Sequence, residues 1–239
     1  RPFYSLEFTM RPVSISFRLG SVAAFAVIYF LAIEAQAEQA KDLTMTLPEA
    51  GQLVKGKPAG DGWISLFADG LAAWEHEAEY WSLKDGMLHG ESQGGLHHHS
   101  WTKKKYADFE LHAVFRMTGK GANSGVCIRL QPENYDVCPG YQVDMGEGYW
   151  GCLWEEKRSG MVQKFPKELA DKLVKTDDWN HYYVVAKGHR IQAWLNGVQT
   201  IDVVHKEGFL EGSIGFQLVH GKKHTVLDVK MLQIREAAS

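Results

Sequence analysis

The sequence predicts an all-β protein, built as a sandwich or jelly roll of antiparallel sheets. From residue 63 onward, short segments alternate apolar and polar residues with the period of two that marks half-buried strands. Turn residues, mainly Gly, Asn and Asp, separate these segments at intervals of about 8 to 12 residues, as in sandwich folds. Helical patterning is confined to residues 166–175, and the sequence has neither alternating βα units nor a glycine-rich phosphate loop.

The first predicted strands lead through a hairpin into a long strand pair. Asp85-Gly86 is a two-residue hairpin signal between the second and third strands. In the fourth strand, the apolar residues at 109, 111, 113 and 115 share one face, and the polar residues at 110, 112 and 116 share the other. These predicted strands are WISLF (63–67), YWSL (80–83), MLHGE (87–91), YADFELHAVFRM (106–117) and SGVCIRL (124–130).

The second half of the chain carries the one predicted helix, PKELADKLVK (166–175). Its proline stands in the first turn, where a missing N–H does no harm, and Glu168 and Asp171 follow early in it. Asn196-Gly197 is a further hairpin signal. The remaining predicted strands are GYQVDM (140–145), YWGCLW (149–154), GMVQKF (160–165), WNHYYVVAKG (179–188), RIQAWLNG (190–197), VQTIDVV (198–204), GSIGFQLVHG (212–221) and HTVLDVKMLQIRE (224–236).

The N-terminal segment is typical of a secretory signal peptide. Arg11 and Arg18 precede the uncharged run LGSVAAFAVIYFLAI (19–33), and Ala35-Gln36-Ala37 follows it. The run is shorter than the roughly 20 residues of a membrane span, so an uncleaved anchor is the alternative and cleavage after Ala37 the prediction. Residues 1–37 are therefore interpreted as upstream residues and signal peptide, and the polar segment 38–61 as a linker or arm. We expect a secreted or periplasmic product.

Composition excludes several classes of partner. Lys and Arg number 26 against 29 Asp and Glu, a formal net charge of −3, so the chain offers no basic field for nucleic acid. After residue 37 no apolar run is long enough to span a bilayer. Aromatic residues make up 12% of the chain, and their flat rings suit both β-cores and ligand platforms.

The chain has three cysteines, Cys127, Cys138 and Cys152. An odd number leaves at least one thiol unpaired in an exported protein. Cys138 and Cys152 lie in adjacent polar segments and are the candidates for a disulfide. Cys127 alternates like a strand residue, which predicts a small buried side chain. The spacing of the three does not indicate zinc.

Several motifs in order resemble the 3-keto-disaccharide hydrolase family. The resemblance covers residues 62–236 and implies a concanavalin-like jelly roll of two antiparallel sheets, with cleavage of glycosides oxidised at C3. The family's C-terminal F-R-N-I run is replaced here by Val226-Leu227-Asp228-Val229. The matching motifs are WISLFADGLAAWE (63–75), YADFELHAVFRM (106–117), ANSGVCIRL (122–130), PGYQVDM (139–145), WGCLWEE (150–156), DDWNHYYVVAKGHRIQAWLNG (177–197) and GSIGFQLVHG (212–221).

The implied chemistry indicates which residue types to look for. A ketone at C3 acidifies the C2 hydrogen, so the site needs a base, a partner for the enolate oxygen and an acid for the leaving group. Asp144 or His220 is the expected base, Arg129 the oxyanion partner and Glu155 the acid. The alternatives are that Glu155 and Glu156 belong to a solvated charge cluster, that Arg129 pairs with Asp144 or Glu110, and that His220 is a surface residue.

Substrate-binding candidates surround these groups. If residues 140–145 form a strand, Gln142 and Asp144 share a face opposite Tyr141 and Val143, and such a polar face suggests a concave ligand surface. A tryptophan ring can stack on the apolar face of a sugar. The predicted binding residues are Asn123, Gln142, Glu147, Trp150 and Trp154.

A run of three histidines, His97-His98-His99, raises the question of a metal. In a strand His97 and His99 would share a face, which suits metal binding, whereas consecutive histidines are often an exposed loop. Carboxylate partners cannot be assigned, so the sequence assigns no metal ligands and leaves a divalent metal as an open alternative.

The resulting hypothesis is an exported jelly-roll enzyme that binds an oxidised glycoside and cleaves it by acid–base catalysis. The alternative is a non-catalytic, lectin-like carbohydrate-binding module, since this fold can bind sugar on one concave face without an acid–base pair. Loss of the polar F-R-N-I residues favours that alternative.

Overall fold

The computed structural model describes residues 60–218 and 224–237, which form strands β1 to β15 and one α-helix, α1 (Lys167–Leu173). A 3-10 turn covers Gly70–Ala73. The strands, in chain order, are β1 (Ile64–Ser65), β2 (Trp74–Glu75), β3 (Trp81–Lys84), β4 (Met87–Ser92), β5 (His98–Thr102), β6 (Phe109–Thr118), β7 (Asn123–Leu130), β8 (Gly140–Gly146), β9 (Leu153–Glu156), β10 (Gly160–Gln163), β11 (Asn180–Lys187), β12 (Arg190–Leu195), β13 (Val198–Val204), β14 (Ser213–Leu218) and β15 (Thr225–Glu236).

The strands form two antiparallel sheets. Sheet A has the order β13-β12-β11-β6-β15-β4-β3, and β1 pairs with β15 beyond this path. Sheet B has the order β10-β9-β8-β7-β14-β5-β2. Distant segments of the chain pair at the centre of each sheet, β6 with β15 in sheet A and β7 with β14 in sheet B. The predicted all-β sandwich with one short helix is confirmed.

The core lies between the two sheets, and strand alternation determines which side chains enter it. In β6 the predicted apolar face is confirmed, since Phe109, Leu111, Ala113 and Phe115 are all buried in the core cluster. Sheet B contributes the residues at 126, 128, 141, 143, 145, 214, 216 and 218. Residues that alternate with these on sheet B therefore lie on its outer face, away from the core.

Both predicted hairpins are confirmed by their backbone conformation. Asp85 and Gly86 have φ values of 53° and 73°, and Asn196 and Gly197 have 50° and 90°. Two successive left-handed residues are the type I′ pattern, which matches the right-handed twist of paired strands. The turns connect β3 to β4 and β12 to β13.

Two predicted strands are shorter in the structure. Residues 63–67 contribute only β1, because the chain turns at Phe67, whose carbonyl accepts from Gly70 N at 3.0 Å. Residues 149–154 enter a strand only at Leu153, because a tight turn precedes it, with Cys152 N donating to Tyr149 O at 2.9 Å.

The prediction that Cys138 and Cys152 are candidates for a disulfide is wrong, because all three thiols are free and buried. The Cys138 thiol donates to Asn134 O at 3.1 Å and packs in a small cluster with Cys127. The Cys152 sulfur instead accepts from Phe165 N at 3.3 Å. Cys127 is buried as predicted.

The expected signal peptide, residues 1–37, lies outside the described residues, as does nearly all of the predicted arm. Within residues 60–218 and 224–237, no helix is both long and apolar enough to cross a membrane.

Two buried histidines pair on the outer face of sheet A. His112 Nδ1 and His181 Nε2 are 2.8 Å apart, and the His112 ring stacks on Tyr183 at 4.5 Å between centroids. Burial lowers the pKa of His112 to about 4, and burial followed by the His112 charge lowers that of His181 to about 3. Both rings are therefore neutral in the folded protein near pH 5.

We expect this pair to make the fold sensitive to acid. The unfolded chain binds protons at these histidines below about pH 6.5 while the folded chain does not, so stability falls as pH falls through that range. From pH 7 to pH 5, the free energy of unfolding should fall in both proteins. The fall should be about 2 kcal/mol smaller in His181→Gln than in the wild type. Urea unfolding at both pH values measures this difference, and equal losses in the two proteins would contradict the assignment.

Candidate functional site

A polar surface covers the outer face of sheet B. Alternation along β8 turns Tyr141, Val143 and Met145 into the core and Gln142 and Asp144 outward, so their predicted common face is confirmed. Neighbouring strands add further polar or aromatic groups to this side. We call the following set the polar face: His97, His99, Asn123, Gln142, Asp144, Trp154, Glu156 and Gln217.

Strand register brings these residues together from distant parts of the chain. Asp144 lies opposite Gly125, Gln142 lies opposite both Cys127 and Trp154, and Gln217 lies opposite His99. A Cβ at Gly125 would meet Gln142 Cγ at 2.2 Å. Glycine is therefore required there, because the Gln142 side chain lies flat across β7 between Asp144 and β14.

Asp144 is a carboxyl of the polar face whose pKa is strongly raised. Its side chain is buried, and Asn123 Nδ2 donates to Asp144 Oδ1 at 3.2 Å. Burial is the main cause that raises the pKa of Asp144 to about 7; hydrogen bonds from Asn123 and Gln142 oppose the rise, and the Glu156 charge adds to it. A carboxyl that titrates near neutral pH can both accept and donate a proton in a catalytic cycle.

The backbone around Asp144 is held from two sides. Tyr182, a fully buried residue of β11, donates its hydroxyl to Asp144 O at 2.7 Å, and Asp144 N donates to Cys152 O at 3.0 Å. A bond from sheet A thus crosses the core to reach this strand, so the carboxyl is positioned by rigid elements rather than by a loop.

The two glutamates of β9 separate onto opposite faces. Glu155 pairs with the core residue Tyr141 in register and is fully buried. Its carboxylate accepts from Arg158 at 2.9 Å and from Ser159 N at 3.2 Å, which closes the β9–β10 turn. The structure therefore does not bring Glu155 to the polar face. The β9 carboxylate that lies on the polar face is Glu156, the other glutamate of this pair.

Arg129 also lies away from the polar face. Its backbone has a left-handed φ of 53°, which interrupts the alternation of β7 and turns the guanidinium inward. That group donates to three backbone carbonyls, Ala107, Gly188 and Phe209, at 2.7 to 3.2 Å, and to Asp108 at 3.3 Å.

The position of Arg129, far from Asn123 and the polar face, argues against its predicted oxyanion role. Asn123 begins β7 and Arg129 lies near its other end, roughly 20 Å away at about 3.3 Å per residue. The guanidinium ties three loops together instead, and it pairs with Asp108 rather than with Asp144 or Glu110.

The remaining binding candidates lie on and beside the polar face. Trp154 is half-buried opposite Gln142. The Trp150 ring packs against the Phe115 ring, with 6.2 Å between centroids. Trp150 and Glu147 both line a groove of about 400 Å³ at the end of the sandwich. Glu147 also lines an adjoining groove of about 600 Å³. His220 lies outside the described residues, so its role as a base stays a prediction.

The histidine run divides between the two faces of β5. His98 bonds to Glu77 at 2.8 Å and stacks on Tyr80 at 3.5 Å, whereas His97 and His99 share the polar face, with rings 5.7 Å apart. In the part of the chain that the structure describes, no group of three or more His, Cys, Asp or Glu side chains is placed to hold a metal ion.

Gln217 is the residue that sequence reasoning left out of the site. It lies between His97 and His99 and bonds to both. The signal was present, because Phe216 and Leu218 are core residues, and alternation then turns Gln217 to the outer face.

Asp228, the one polar residue in place of the F-R-N-I run, lies on the outer face of sheet A. It bonds there to His89 at 2.8 Å and to Arg116 at 2.7 Å. The residues that replace the F-R-N-I run therefore lie away from the polar face of sheet B. Their replacement no longer favours a non-catalytic module.

Comparison with known proteins identifies both a family and a fold. A family model described as the 3-keto-alpha-glucoside-1,2-lyase-like domain matches residues 62–235. No curated protein matches the chain.

Solved structures share the architecture. A "putative glycosyl hydrolase" from Parabacteroides distasonis ATCC 8503 is 22% identical, covers 74% of this chain and 100% of its own, and has a TM-score of 0.57. A second such protein from that organism is 18% identical, covers 74% of this chain and 94% of its own, and has a TM-score of 0.55. A prokaryotic beta-1,3-1,4-glucanase from a mouse hindgut metagenome is 9% identical over 73% of this chain and 98% of its own, with a TM-score of 0.50. These likenesses show the concanavalin-like jelly-roll fold.

Proposed function

The chain belongs to the 3-keto-alpha-glucoside-1,2-lyase-like domain family, and from this premise we propose that it cleaves 3-keto-glycosides on the polar face of sheet B. The observation that carries the proposal is Asp144, a buried carboxyl whose pKa of about 7 places its titration near neutral pH. Its function is carbohydrate-related, as the family indicates; the catalytic role is the part we propose.

The proposed reaction begins with removal of the C2 proton by the Asp144 carboxylate. The electrons of the C2–H bond form an enolate with the C3 carbonyl, whose oxygen gains negative charge. When the carbonyl reforms, the electrons shift to the C1–C2 bond, the bond from C1 to the leaving oxygen breaks, and that oxygen takes a proton. Addition of water across the new double bond would complete a net hydrolysis.

Other side chains of the polar face supply the remaining groups. The Asn123 and Gln142 amides offer N–H donors to sugar oxygens, and Glu156 is the second carboxylate of the face. We propose that Glu156, and not Glu155, donates the proton to the leaving oxygen, because only Glu156 lies on the outer side of β9. The Glu156 charge also acts on Asp144 and contributes to the rise of its pKa.

The direct test compares a 3-keto-glucoside carrying a chromogenic leaving group with the unoxidised glucoside. We expect release from the keto form alone, because only that form has an acidified C2 hydrogen. Release from both forms would instead indicate hydrolysis through two carboxylates without the C3 carbonyl. Repeating the assay with chelator decides whether a divalent metal takes part, and product analysis separates elimination from hydrolysis.

Trp154 is proposed to stack on the sugar ring, and its replacement should weaken binding. We expect Trp154→Ala to raise KM about tenfold with kcat changed less, since an aromatic contact is worth roughly 0.5 to 1.5 kcal/mol. The matched control is Trp179→Ala on the outer face of sheet A, where the ring contacts Arg116 and Lys230 instead. A KM unchanged in Trp154→Ala, or raised equally in the control, would contradict the assignment.

A carbohydrate-binding module is the second candidate. The observation that favours it is the inward position of Glu155 and Arg129, two of the four expected catalytic groups. Binding of the 3-keto-glucoside by calorimetry without release of its leaving group would establish the module and refute the enzyme.

We propose export as well, supported by the apolar run 19–33 and the Ala35-Gln36-Ala37 site. N-terminal sequencing of the protein recovered from periplasm or medium should begin at Glu38. Recovery of the intact leader in the membrane fraction would contradict cleavage.

A further inference from the structure

The groove of about 600 Å³ begins beside Asp144. The register that pairs Val143 with Leu153 continues for one more residue, because Asp144 N donates to Cys152 O at 3.0 Å. Val143 and Leu153 point into the core, so Asp144 and Cys152 both point outward, with their Cβ atoms about 5 Å apart. Cys152 lines the groove, which therefore opens next to the proposed catalytic carboxyl.

The groove is also continuous with the polar face through β10. Met161 lines the groove and lies opposite Trp154 in register, and Trp154 lies opposite Gln142. Directly opposed residues point to the same side of a sheet, so these three form a row across the outer face. Phe165, two residues past the end of β10, is held against Cys152, since Phe165 N donates to Cys152 Sγ at 3.3 Å.

Tyr149 provides an exposed aromatic wall on a fixed backbone. Its side chain is 45% exposed. Tyr149 N donates to Gly146 O and Tyr149 O accepts from Cys152 N, both at 2.9 Å. Gly151, in the same turn, donates its N–H to the hydroxyl of the buried Tyr182 at 2.9 Å. A ring presented by a turn fixed in this way loses little freedom when it binds a ligand.

The groove has apolar side chains inside and charged side chains at its rim. Cys152 is buried, Met161 and Phe165 are half-buried, and their side chains form at most weak hydrogen bonds. The charged lining residues are all exposed and stay hydrated: Glu147, Lys164 and Lys167. The inner part of the groove therefore has little to offer a polar ligand.

This distribution favours a flat aromatic group over a second sugar. A sugar ring would bring several hydroxyls, which lose water against apolar side chains that offer no replacement hydrogen bonds. An aromatic ring carries no such cost. It can stack on Tyr149 or Phe165 and contact the sulfur of Met161.

We propose that this groove is the subsite for the leaving group and that it selects 3-keto-glycosides with an aromatic aglycone. In the proposed reaction C2 gives its proton to Asp144, and the bond that breaks is at C1, the neighbouring carbon. The leaving group therefore starts within a few ångströms of Asp144, where Cys152 is the first residue of the groove. This inference rests on the function proposed above, whereas the affinity of the groove for an aromatic ring does not require turnover.

Binding to Asp144→Asn tests the groove without catalysis. Titration calorimetry compares the 3-keto forms of phenyl glucoside and methyl glucoside on this variant, which lacks the base. We expect the phenyl ligand to bind roughly tenfold more tightly, the scale of an aromatic contact. Adding Tyr149→Ala should remove most of that advantage, and adding Tyr149→Phe should keep it, because the ring remains.

Kinetics supply the second measurement. With Asp144 intact, we expect Tyr149→Ala to lower kcat/KM roughly tenfold on the phenyl substrate and less than twofold on the methyl substrate. NMR of the remaining substrate follows both reactions. Comparing the variant with the wild type on each substrate removes the intrinsic difference between phenol and methanol as leaving groups.

The matched control is Leu210→Ala. Leu210 is 46% exposed, nearly the same as Tyr149. It precedes β14, whose first residue, Ser213, pairs with Leu130 at the far end of β7 from Asp144. The control should change neither the preference for the phenyl ligand nor kcat/KM on either substrate. A loss equal to that of Tyr149→Ala would overturn the inference.

The outcomes separate this inference from the proposed function. Turnover with equal losses on both substrates in Tyr149→Ala, or with no loss on either, would overturn the inference and leave the function intact. Tighter, Tyr149-dependent binding of the phenyl ligand together with no turnover by the wild type would support the aromatic subsite and refute the function. Equal binding of the two ligands, or no detectable binding of either, would overturn the inference, and this comparison decides even if Tyr149→Ala fails to fold.

Discussion

Asp144→Asn should lower kcat for 3-keto-glycoside cleavage by about 10³-fold, within the 10²- to 10⁴-fold range of a lost general base. The amide is nearly isosteric, and its oxygen can still accept from Asn123, so the polar face keeps its shape. It has no lone pair basic enough to take the C2 proton. Single-turnover kinetics with a chromogenic 3-keto-glucoside measure the loss.

The pH dependence of the wild-type enzyme provides an independent check. Asp144 must be ionised to act as a base, so kcat/KM should rise with pH through about 7, the pKa to which burial raises this carboxyl. In Asp144→Asn the residual rate should lack that rise. A rise with the same midpoint in the variant would assign it to another group and contradict the role.

The same substitution should stabilise the fold at neutral and higher pH. The folded pKa of about 7 lies above the ordinary aspartate pKa of 3.8, so between these two pH values the folded carboxyl still binds a proton that the unfolded chain has released. Stability is therefore lost as pH rises toward 7, by up to about 4 kcal/mol, and Asn removes that loss. Asp228→Asn, on the outer face of sheet A, is the matched control for the loss of turnover. This variant should keep its turnover within about twofold of the wild type.

Arg129→Met should destabilise the protein by about 3 to 5 kcal/mol, the range for removing one partner of a buried, hydrogen-bonded charge. The guanidinium is 1% exposed and satisfies three backbone carbonyls from separate loops. Methionine fills part of the volume but leaves those carbonyls without donors, and each buried unsatisfied group carries its desolvation cost. Urea unfolding at constant pH measures the change in free energy of unfolding.

The control for that measurement is Arg190→Met. Arg190 is also paired with an aspartate, Asp202 at 2.7 Å, but both of these side chains are exposed, and exposed pairs contribute less than about 1 kcal/mol. Comparable losses in the two variants would contradict the special role of Arg129. A normally stable Arg129→Met that had lost turnover would restore the oxyanion role that the family resemblance suggested.

The Glu155 and Glu156 pair shows where prediction from sequence stopped. Either residue was a candidate acid, and the choice depended on the register of β9 against β8, which no local pattern specifies. The same limit applies to Cys138 and Cys152, whose separation along the chain did not show that one packs beside Cys127 and the other against Phe165. Asp144 and Gln142 could be placed correctly because their neighbours in β8 are strongly apolar.

The all-β class, both two-residue hairpins, the faces of β6 and β8 and the family could be predicted from the sequence alone. Each of these depends on neighbouring residues, through backbone sterics at glycine and asparagine and through the period-two burial of apolar side chains. Three placements follow only from the tertiary structure: Arg129 turns inward, Glu156 rather than Glu155 lies on the outer face of sheet B, and Gln217 lies between His97 and His99. Those arrangements arise from pairing between strands far apart in the chain, and one residue of register or one left-handed φ changes the face to which a side chain points.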